Sequence, residues 1–226
     1  MRWSLLEGVP EAEVRELLAI ARRRRFARGE VVFHQDDPAD TLHLVDKGRF
    51  AVRGIGQLGD NVMLTMLSPG DMFGELALVE GEGGRRSATV SSIDGGETLS
   101  VHRLDFDRLR RQRPETSQVL IAVLAGQVRR LSRLVGEAHY VSAEKRVRRR
   151  LLEVSGFHSP RPGEVAVKTH DPVVVPLTQD DLADLAGTSR ATVNRVLRSE
   201  QDKGAVKLGR GRTEVLDAAE LARRAR

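Results

Sequence analysis

The sequence contains no cysteine, so every kind of site that needs a cysteine thiolate is excluded. Without thiolates the chain cannot form structural disulfides, thiolate zinc sites or cysteine-ligated iron–sulfur clusters. It also lacks an apolar run that approaches the length of a membrane span. The first residues interleave acids with apolar side chains, unlike a signal peptide or an anchor. We therefore expect a cytoplasmic protein that does not contact a membrane.

Charge is unevenly distributed along the chain. Residues 1–142 contain 20 basic and 20 acidic side chains, whereas residues 143–226 contain 17 and 12, so the net charge of +5 lies entirely in the last 84 residues. This asymmetry favours two modules, of which the second faces a polyanion. A merely soluble basic domain is the alternative, and charge alone does not reject it.

The first half shows a change in hydrophobic period. Residues 10–25 have helical spacing, which predicts a short amphipathic helix. From Phe26 to Leu104 the period becomes two, as in Leu42 and Leu44, and glycines separate the apolar runs. Short strands with frequent turns predict an antiparallel barrel or roll.

A long helix is predicted from Pro114 onward. One stripe along it steps alternately by four and three residues, and six of its seven members are apolar. The stripe consists of Leu120, Leu124, Gln127, Leu131, Leu134, Ala138 and Val141. Such a narrow stripe is typical of a coiled-coil seam between two subunits. The alternative is a helix that packs against its own barrel.

The last third carries the signals of two short capped helices. Thr178 and Asp181 have capping-box spacing, Gly187 ends the first helix, and Ser189 can cap the second. Residues 206–215 then predict a two-stranded wing. Helix, glycine turn and helix are the parts of a helix-turn-helix, whose second helix reads the major groove.

The second of these helices carries side chains suited to DNA. Arg190 and Arg195 can each bind a guanine through O6 and N7, and Asn194 can serve an adenine or a phosphate. Hydroxyl and amide side chains near the helix starts are placed to meet phosphates. These are Thr178, Gln179, Ser189 and Thr192. The alternative is a three-helix fold with solvated arginines.

A second motif lies in the first half. Gly74 allows close approach of an anion to the backbone, Glu75 can accept hydrogen bonds from a sugar, and Arg86 and Ser87 supply donors for a phosphate. By spacing alone, the same residues are also typical of an ordinary turn beside a surface arginine.

Together the two motifs resemble the cAMP receptor protein/fumarate-nitrate regulator (CRP/FNR) family of bacterial transcription regulators, over nearly the whole chain. The resemblance rests on FGELAL…RRSATV, the long helix, and LTQDDLADLAGTSRATVNRVLR. It implies an α+β fold with a cyclic-nucleotide-binding β-roll, a dimerisation helix and a winged helix-turn-helix. The implied domains are residues 1–113, 114–141 and 142–226.

The resemblance also implies roles for single residues in ligand binding. Glu75 would bind the ribose 2′-hydroxyl beside Gly74, and Arg86 with Ser87 would bind the cyclic phosphate. An ungapped alignment places the family's adenine contacts at Leu131 and Ser132. Threonine is usual at the first of these positions in cAMP binders, so Leu131 departs from the pattern. The identity of the effector therefore stays open, with cAMP, another ligand or no ligand as the alternatives.

For DNA, the resemblance makes Arg190 and Arg195 the base-reading arginines. Ala191 replaces a glutamate of the family between them. Because a glutamate can accept from cytosine N4 and an alanine cannot, we expect a relaxed or changed preference at one base pair.

The resulting expectation is a homodimeric regulator of a pseudo-palindromic DNA site, controlled by cAMP, with RNA polymerase as a further partner. Regulation without a ligand, or with another one, is the first alternative, and a cyclic-nucleotide sensor acting on a protein partner is the second. We expect no enzyme, because the sequence has no Ser–His–acid order, metal motif or Walker loop. Nor do His34, His43, His102 and His139 have metal-ligand spacing, so no metal, haem or cluster is expected.

Overall fold

A computed structural model describes residues 10–56, 61–80, 83–156 and 172–226. They group into two compact units, Met1–Arg133 and Leu134–Arg226. Within the described residues no helix is both long and apolar enough to cross a membrane. The three-part division expected from the sequence stays a prediction, because the two units meet inside a long helix.

The N-terminal unit is an antiparallel β-roll with helices against it. Its strands pair in the order β1-β6-β3-β4, with β2 added on β6 and β5 on β3. Its elements are α1 (Glu11–Ala19), β1 (Arg22–Phe26), β2 (Val31–Phe33), β3 (Thr41–Ile55), β4 (Asn61–Leu67), β5 (Met72–Phe73), β6 (Thr89–His102) and α2 (Arg103–Gln112). The antiparallel roll predicted from the period-two pattern is confirmed.

The helix predicted over residues 10–25 is too long. Helix α1 ends at Ala19, and Arg22 already pairs with Ser100 in the sheet. The four arginines of β1 offer no apolar side chain to a helix face, whereas as a strand the segment buries Phe26 and leaves the arginines exposed. The arginine run therefore belongs to an edge strand.

Strand β3 is buried on both faces. Leu42 and Leu44 pack into a cluster with residues of α1 and α2, while Val45 and Phe50 pack into a second cluster between the strands. Between the two leucines, His43 is also buried. The polar side chain of His43 therefore faces the roll and not the solvent.

Strand β4 contains an irregularity that the sequence pattern does not show. The period-two pattern places Leu64 on the same face as Met66, but Leu64 is exposed and Met63 is buried. The pairing register shifts between Val52 and Arg53 on β3, which turns part of β4 over relative to a regular strand.

A 3₁₀ turn over Pro114–Thr116 leads into α3 (Ser117–Tyr140), in agreement with the predicted helix start. The predicted stripe is shifted, because Leu120 packs with the buried Val123 on the core of its own unit. The exposed large apolar side chains of α3 include Ile121, Val128, Leu131 and Val135. With Leu124 between the first two, they step alternately by three and four residues.

The C-terminal unit is a winged helix-turn-helix. Its three strands pair in the order β7-β9-β8, all antiparallel. Its elements are α4 (Ala143–Val154), β7 (Val173–Val175), α5 (Gln179–Ala186), α6 (Arg190–Asp202), β8 (Val206–Gly209), β9 (Arg212–Val215) and α7 (Ala218–Arg224). Strands β8 and β9 form the predicted wing.

The predicted caps of this unit are confirmed. Thr178 and Asp181 form a reciprocal capping box at the start of α5. Gly187 ends α5 in the left-handed conformation, with φ of 57°, and Ser189 accepts from the backbone N–H of Thr192. These local signals fix the turn between α5 and α6.

A buried ionic network joins three helices of the C-terminal unit. Glu200 of α6 is 0% exposed, and it accepts from Arg148 Nε of α4 at 2.9 Å. Arg224 of α7 donates to its second carboxylate oxygen. Both carboxylate oxygens thus have a cationic partner, as a buried charge requires.

Candidate ligand and DNA sites

Gly74 shapes the first candidate site. It follows β5 and opens a 3₁₀ helix over Glu75–Leu78, with φ of 77°. A Cβ atom at this position would lie 2.7 Å from the Thr41 carbonyl oxygen and 2.8 Å from Arg86 Nη1. Only glycine leaves room for the guanidinium, and it also tolerates the left-handed backbone.

The Arg86 guanidinium is 5% exposed and lies beside this glycine. Nη1 donates to the Thr41 carbonyl at 2.7 Å, and Nη2 donates to Thr41 Oγ1 at 2.7 Å and to Asp40 Oδ1 at 3.2 Å. The group also stacks over the Phe33 ring at 4.0 Å. Arg86 Nε is buried and has no hydrogen-bond partner among the described residues. A buried cation with one unsatisfied donor suits an anionic ligand.

Glu75 occupies the first residue of the 3₁₀ helix and is half-buried. Burial raises the pKa of its carboxyl, while a backbone hydrogen bond and the charge of Arg86 act in the opposite direction. The structure therefore brings together Gly74, Glu75 and Arg86 of the predicted cassette. Ser87 follows Arg86 and is exposed.

The two predicted adenine contacts lie on α3. Leu131 is 57% exposed and belongs to the exposed apolar stripe, and Ser132 is also exposed. Arg130, which directly precedes Leu131, donates to Thr65 Oγ1 at 2.5 Å, and this contact connects α3 to β4. Sequence reasoning did not identify this Arg130–Thr65 contact, and the pattern of the sequence offers no signal for it.

Sequence reasoning also missed the residues that hold Arg86. A cavity of about 740 Å³ is lined by the Arg86, Asp40, Thr41, His43 and Phe33 side chains, among others. This volume lies in the range of small-molecule sites, and of the predicted cassette only Arg86 lines the cavity. A signal was available, since Thr41 and His43 alternate with two leucines that face a helical layer. Their side chains must then face the roll.

His43 is a buried residue of the cavity lining. Its ring stacks on Phe73 with 4.9 Å between centroids and an angle of 3° between the planes. Nε2 lies 3.2 Å from Thr41 Oγ1, and Nδ1 lies 3.1 Å from Thr98 Oγ1. Burial, with the charge of Arg86 as the next cause, lowers the pKa of His43 to about 3, so the ring is neutral. No group of three or more His, Asp or Glu residues that could hold a metal ion occurs in the described part of the chain.

The second candidate site is the surface formed by α5 and α6. The Arg190 and Arg195 side chains are 68% and 70% exposed. Arg190 pairs with Asp180 at 3.2 Å, and Arg195 pairs with Glu144 at 3.1 Å. The residue between them in the family pattern, Ala191, is exposed. Both arginines are thus accessible and lightly held.

The remaining predicted DNA residues surround these arginines. Asn194 Nδ2 donates to Gln179 Oε1 at 3.0 Å, which links α6 to the first residue of α5. The Ser189 and Thr192 hydroxyls lie 3.1 Å apart, and Thr178 caps α5. The structure therefore gathers all the predicted DNA residues at the starts of two adjacent helices, where partial positive charge favours phosphates.

Comparison with known proteins identifies the domain that contains each candidate site. A family model described as the cyclic nucleotide-binding domain matches residues 23–113, and one described as the Crp-like helix-turn-helix domain matches residues 145–224. A CRP-like cAMP-activated global transcriptional regulator of Mycobacterium tuberculosis is 31% identical over 225 residues, which cover 100% of this chain and 97% of that protein.

Thermus thermophilus supplies two further matches. Its cyclic AMP receptor protein is 33% identical over 220 residues, which cover 96% of this chain and 94% of that protein. The crystal structure of a catabolite activator protein from the same organism has a TM-score of 0.52 and 32% identity, and it covers 98% of this chain and 97% of that one. The chain belongs to the CRP/FNR family of DNA-binding transcription regulators.

Proposed function

We propose that the chain acts as a cytoplasmic homodimer that binds a pseudo-palindromic DNA site under the control of cAMP. The observation that carries the proposal is the buried Arg86 guanidinium, whose Nε has no partner among the described residues. A cyclic phosphate is a compact anion with two free oxygens, and it can satisfy Nε and a neighbouring Nη together. Glu75 would accept the ribose 2′-hydroxyl, and Ser87 would add a donor to the phosphate.

The names of the M. tuberculosis and T. thermophilus relatives support cAMP as the effector. Leu131 and Ser132 would then lie near the adenine. An exposed leucine offers apolar contact but no hydrogen bond to the base. We therefore expect weaker discrimination between cAMP and cGMP than a threonine at this position would give.

Exposed charge supports the DNA part of the proposal. Arg190 and Arg195 would reach base edges, and Asn194 would contact an adenine or a phosphate. Thr178, Gln179, Ser189 and Thr192 would hold phosphates. None of these steps is catalytic, and RNA polymerase is the further protein partner that a transcription regulator of this kind would engage.

The exposed apolar stripe of α3 supports the homodimer. Ile121, Val128, Leu131 and Val135 are all more than half exposed. Large apolar side chains at coiled-coil spacing favour burial against a second copy of the helix. Two symmetric subunits would read half-sites about 10 bp apart. A monomer in sedimentation at micromolar concentration would contradict this part.

Regulation without a ligand is the second candidate function. It is favoured by one observation, namely that three of the Arg86 donor contacts are already made by Asp40 and Thr41. In that case the cassette would be a structural element, and DNA binding would not respond to nucleotides.

DNA titrations with and without cAMP decide between the two functions. We expect cAMP to tighten binding of the unmodified protein to its site about 5- to 150-fold, the usual range of coupling between sites. Arg86→Ala should remove the response. Arg85→Ala is the matched control, because Arg85 is exposed and donates only to the Asp36 carbonyl among the contacts described. Tight DNA binding with an affinity that does not change when cAMP is added would favour regulation without a ligand.

A further inference from the structure

The Arg86 guanidinium presents two edges, and they are used differently. The end edge, Nη1 and Nη2, is taken by the carbonyl and hydroxyl oxygens of Thr41, both at 2.7 Å. On the side edge, Nη2 also contacts Asp40 at 3.2 Å, and Nε has no partner among the described residues. One edge is therefore fixed by the protein, while the other has a single carboxylate beside an unused donor.

Thr41 can hold the end edge only if its hydroxyl proton points elsewhere. A hydroxyl has one proton and two lone pairs, and one lone pair accepts from Arg86. Two acceptors are within reach of the proton, since Asp40 Oδ1 and His43 Nε2 each lie 3.2 Å from Thr41 Oγ1. The Asp40 side chain is largely exposed, whereas His43 is buried.

Resting on the cyclic-nucleotide function proposed above, we infer that His43 is a positioning residue for Arg86. Its Nε2 accepts the Thr41 proton, which turns a Thr41 lone pair toward Arg86 and leaves the side edge of the guanidinium for the phosphodiester. Each group in the chain then donates to the next. Arg86 Nη2 donates to Thr41 Oγ1, the Thr41 hydroxyl donates to His43 Nε2, and His43 Nδ1–H donates to Thr98 Oγ1. Asp40 is the group that the phosphate displaces.

The surroundings of His43 meet the requirements of this role. The ring must be neutral, because an imidazolium would donate from both nitrogens and repel the adjacent guanidinium. Burial and the Arg86 charge keep it neutral. The ring must also be fixed, and it stacks on Phe73, directly before Gly74. His43 therefore contacts both Thr41, which holds Arg86, and Phe73, which precedes the glycine turn.

Binding experiments on matched variants test the inference. Thr41→Val removes the hydroxyl, and His43→Phe keeps the aromatic stack but removes Nε2. We expect each to weaken cAMP binding about tenfold, and the double variant to bind no worse than either single one, because both break the same chain. Thr41→Ser should restore affinity. His34→Phe, at an exposed position, is the control. Additive losses, or full affinity in a folded His43→Phe variant, would overturn the proposal.

A second measurement needs no ligand and no variant of His43. Nitrogen-15 spectra of histidine in the unmodified protein should show His43 protonated at Nδ1 and not at Nε2, and its resonances should not titrate between pH 8 and 5. The arginine Nε–H signal of Arg86 should shift in Thr41→Val and not in Thr41→Ser. A protonated Nε2 would overturn the inference. Failure of the unmodified protein to bind any cyclic nucleotide would overturn the proposed function alone, because these spectra still decide the role of His43.

Discussion

The two units of the chain differ in how they hold the arginines of their candidate sites. In the roll, Arg86 is buried and held by Thr41 and Asp40. On the DNA face, Arg190 and Arg195 are exposed, and each has one acidic partner. A small ligand must be enclosed, so its site benefits from groups that are fixed beforehand. A large polyanion meets a surface, where exposed ion pairs contribute little and exchange readily.

The C-terminal unit also contains buried arginine contacts, and breaking them should give the largest effect. Glu200→Gln leaves the buried Arg148 without its charged partner, while Arg224 keeps its ion pair with Glu220, so we expect a loss of about 3–5 kcal/mol in the free energy of unfolding of this unit. Chemical denaturation measures this loss. Glu214→Gln, at a half-buried position of the wing, is the control and should stay near the unmodified protein.

The next effect concerns acid stability of the roll. His43 has a folded pKa of about 3, below the value of about 6.5 in an unfolded chain, so only the unfolded state gains a proton between these values. Stability should therefore fall as the pH falls below 6.5, with a contribution of about 1.4 kcal/mol per pH unit from this residue. His43→Phe should flatten the dependence between pH 6.5 and 4.5. An unchanged slope would mean that the buried ring is not the group responsible.

Arg190→Ala and Arg195→Ala test the role of the exposed arginines of α6. Each should cost about 1–3 kcal/mol on the preferred site and less on random DNA, because a bidentate guanine contact carries sequence information. Arg198→Ala provides an exposed control on the same helix. Equal losses on both DNAs would show that the two side chains hold phosphates only.

The smallest effect should come from the acidic partners of these arginines. Asp180→Asn removes one exposed ion pair, and such pairs contribute about 0.2–1 kcal/mol. Thermal stability should therefore change little, while binding to random DNA should tighten slightly because one negative charge leaves the phosphate-facing surface. Asp202→Asn, at the other end of α6, is the matched control. A marked loss of stability would contradict the view that the exposed ion pairs of Arg190 and Arg195 contribute little to the fold.

The same contrast explains what could be predicted from the sequence. The caps at Thr178 and Ser189 and the turn at Gly187 act within a few residues, so the helix-turn-helix is encoded locally. Its core residues, such as Val193 and Leu197, then follow from helical spacing. The sequence therefore predicts the helix-turn-helix and the wing of this unit, but not strand β7 or the buried Glu200 network.

The roll was less predictable because its site depends on pairing between distant segments. His43 meets Thr98, 55 residues away, and Thr41 meets Arg86, 45 residues away. The register shift in β4, which exposes Leu64, also depends on the partner strand. The cassette residues Gly74, Glu75 and Arg86 are visible in the sequence, but the groups that orient Arg86 are visible only in the fold.

Calorimetric titration with cAMP tests most directly whether the buried arginine serves a ligand. The unmodified protein should bind cAMP with about one ligand per chain, Arg86→Ala should show no binding at millimolar concentration, and Arg85→Ala should match the unmodified protein. Absence of binding to the unmodified protein at millimolar cAMP, together with tight DNA binding, would contradict the account and leave Arg86 a structural residue.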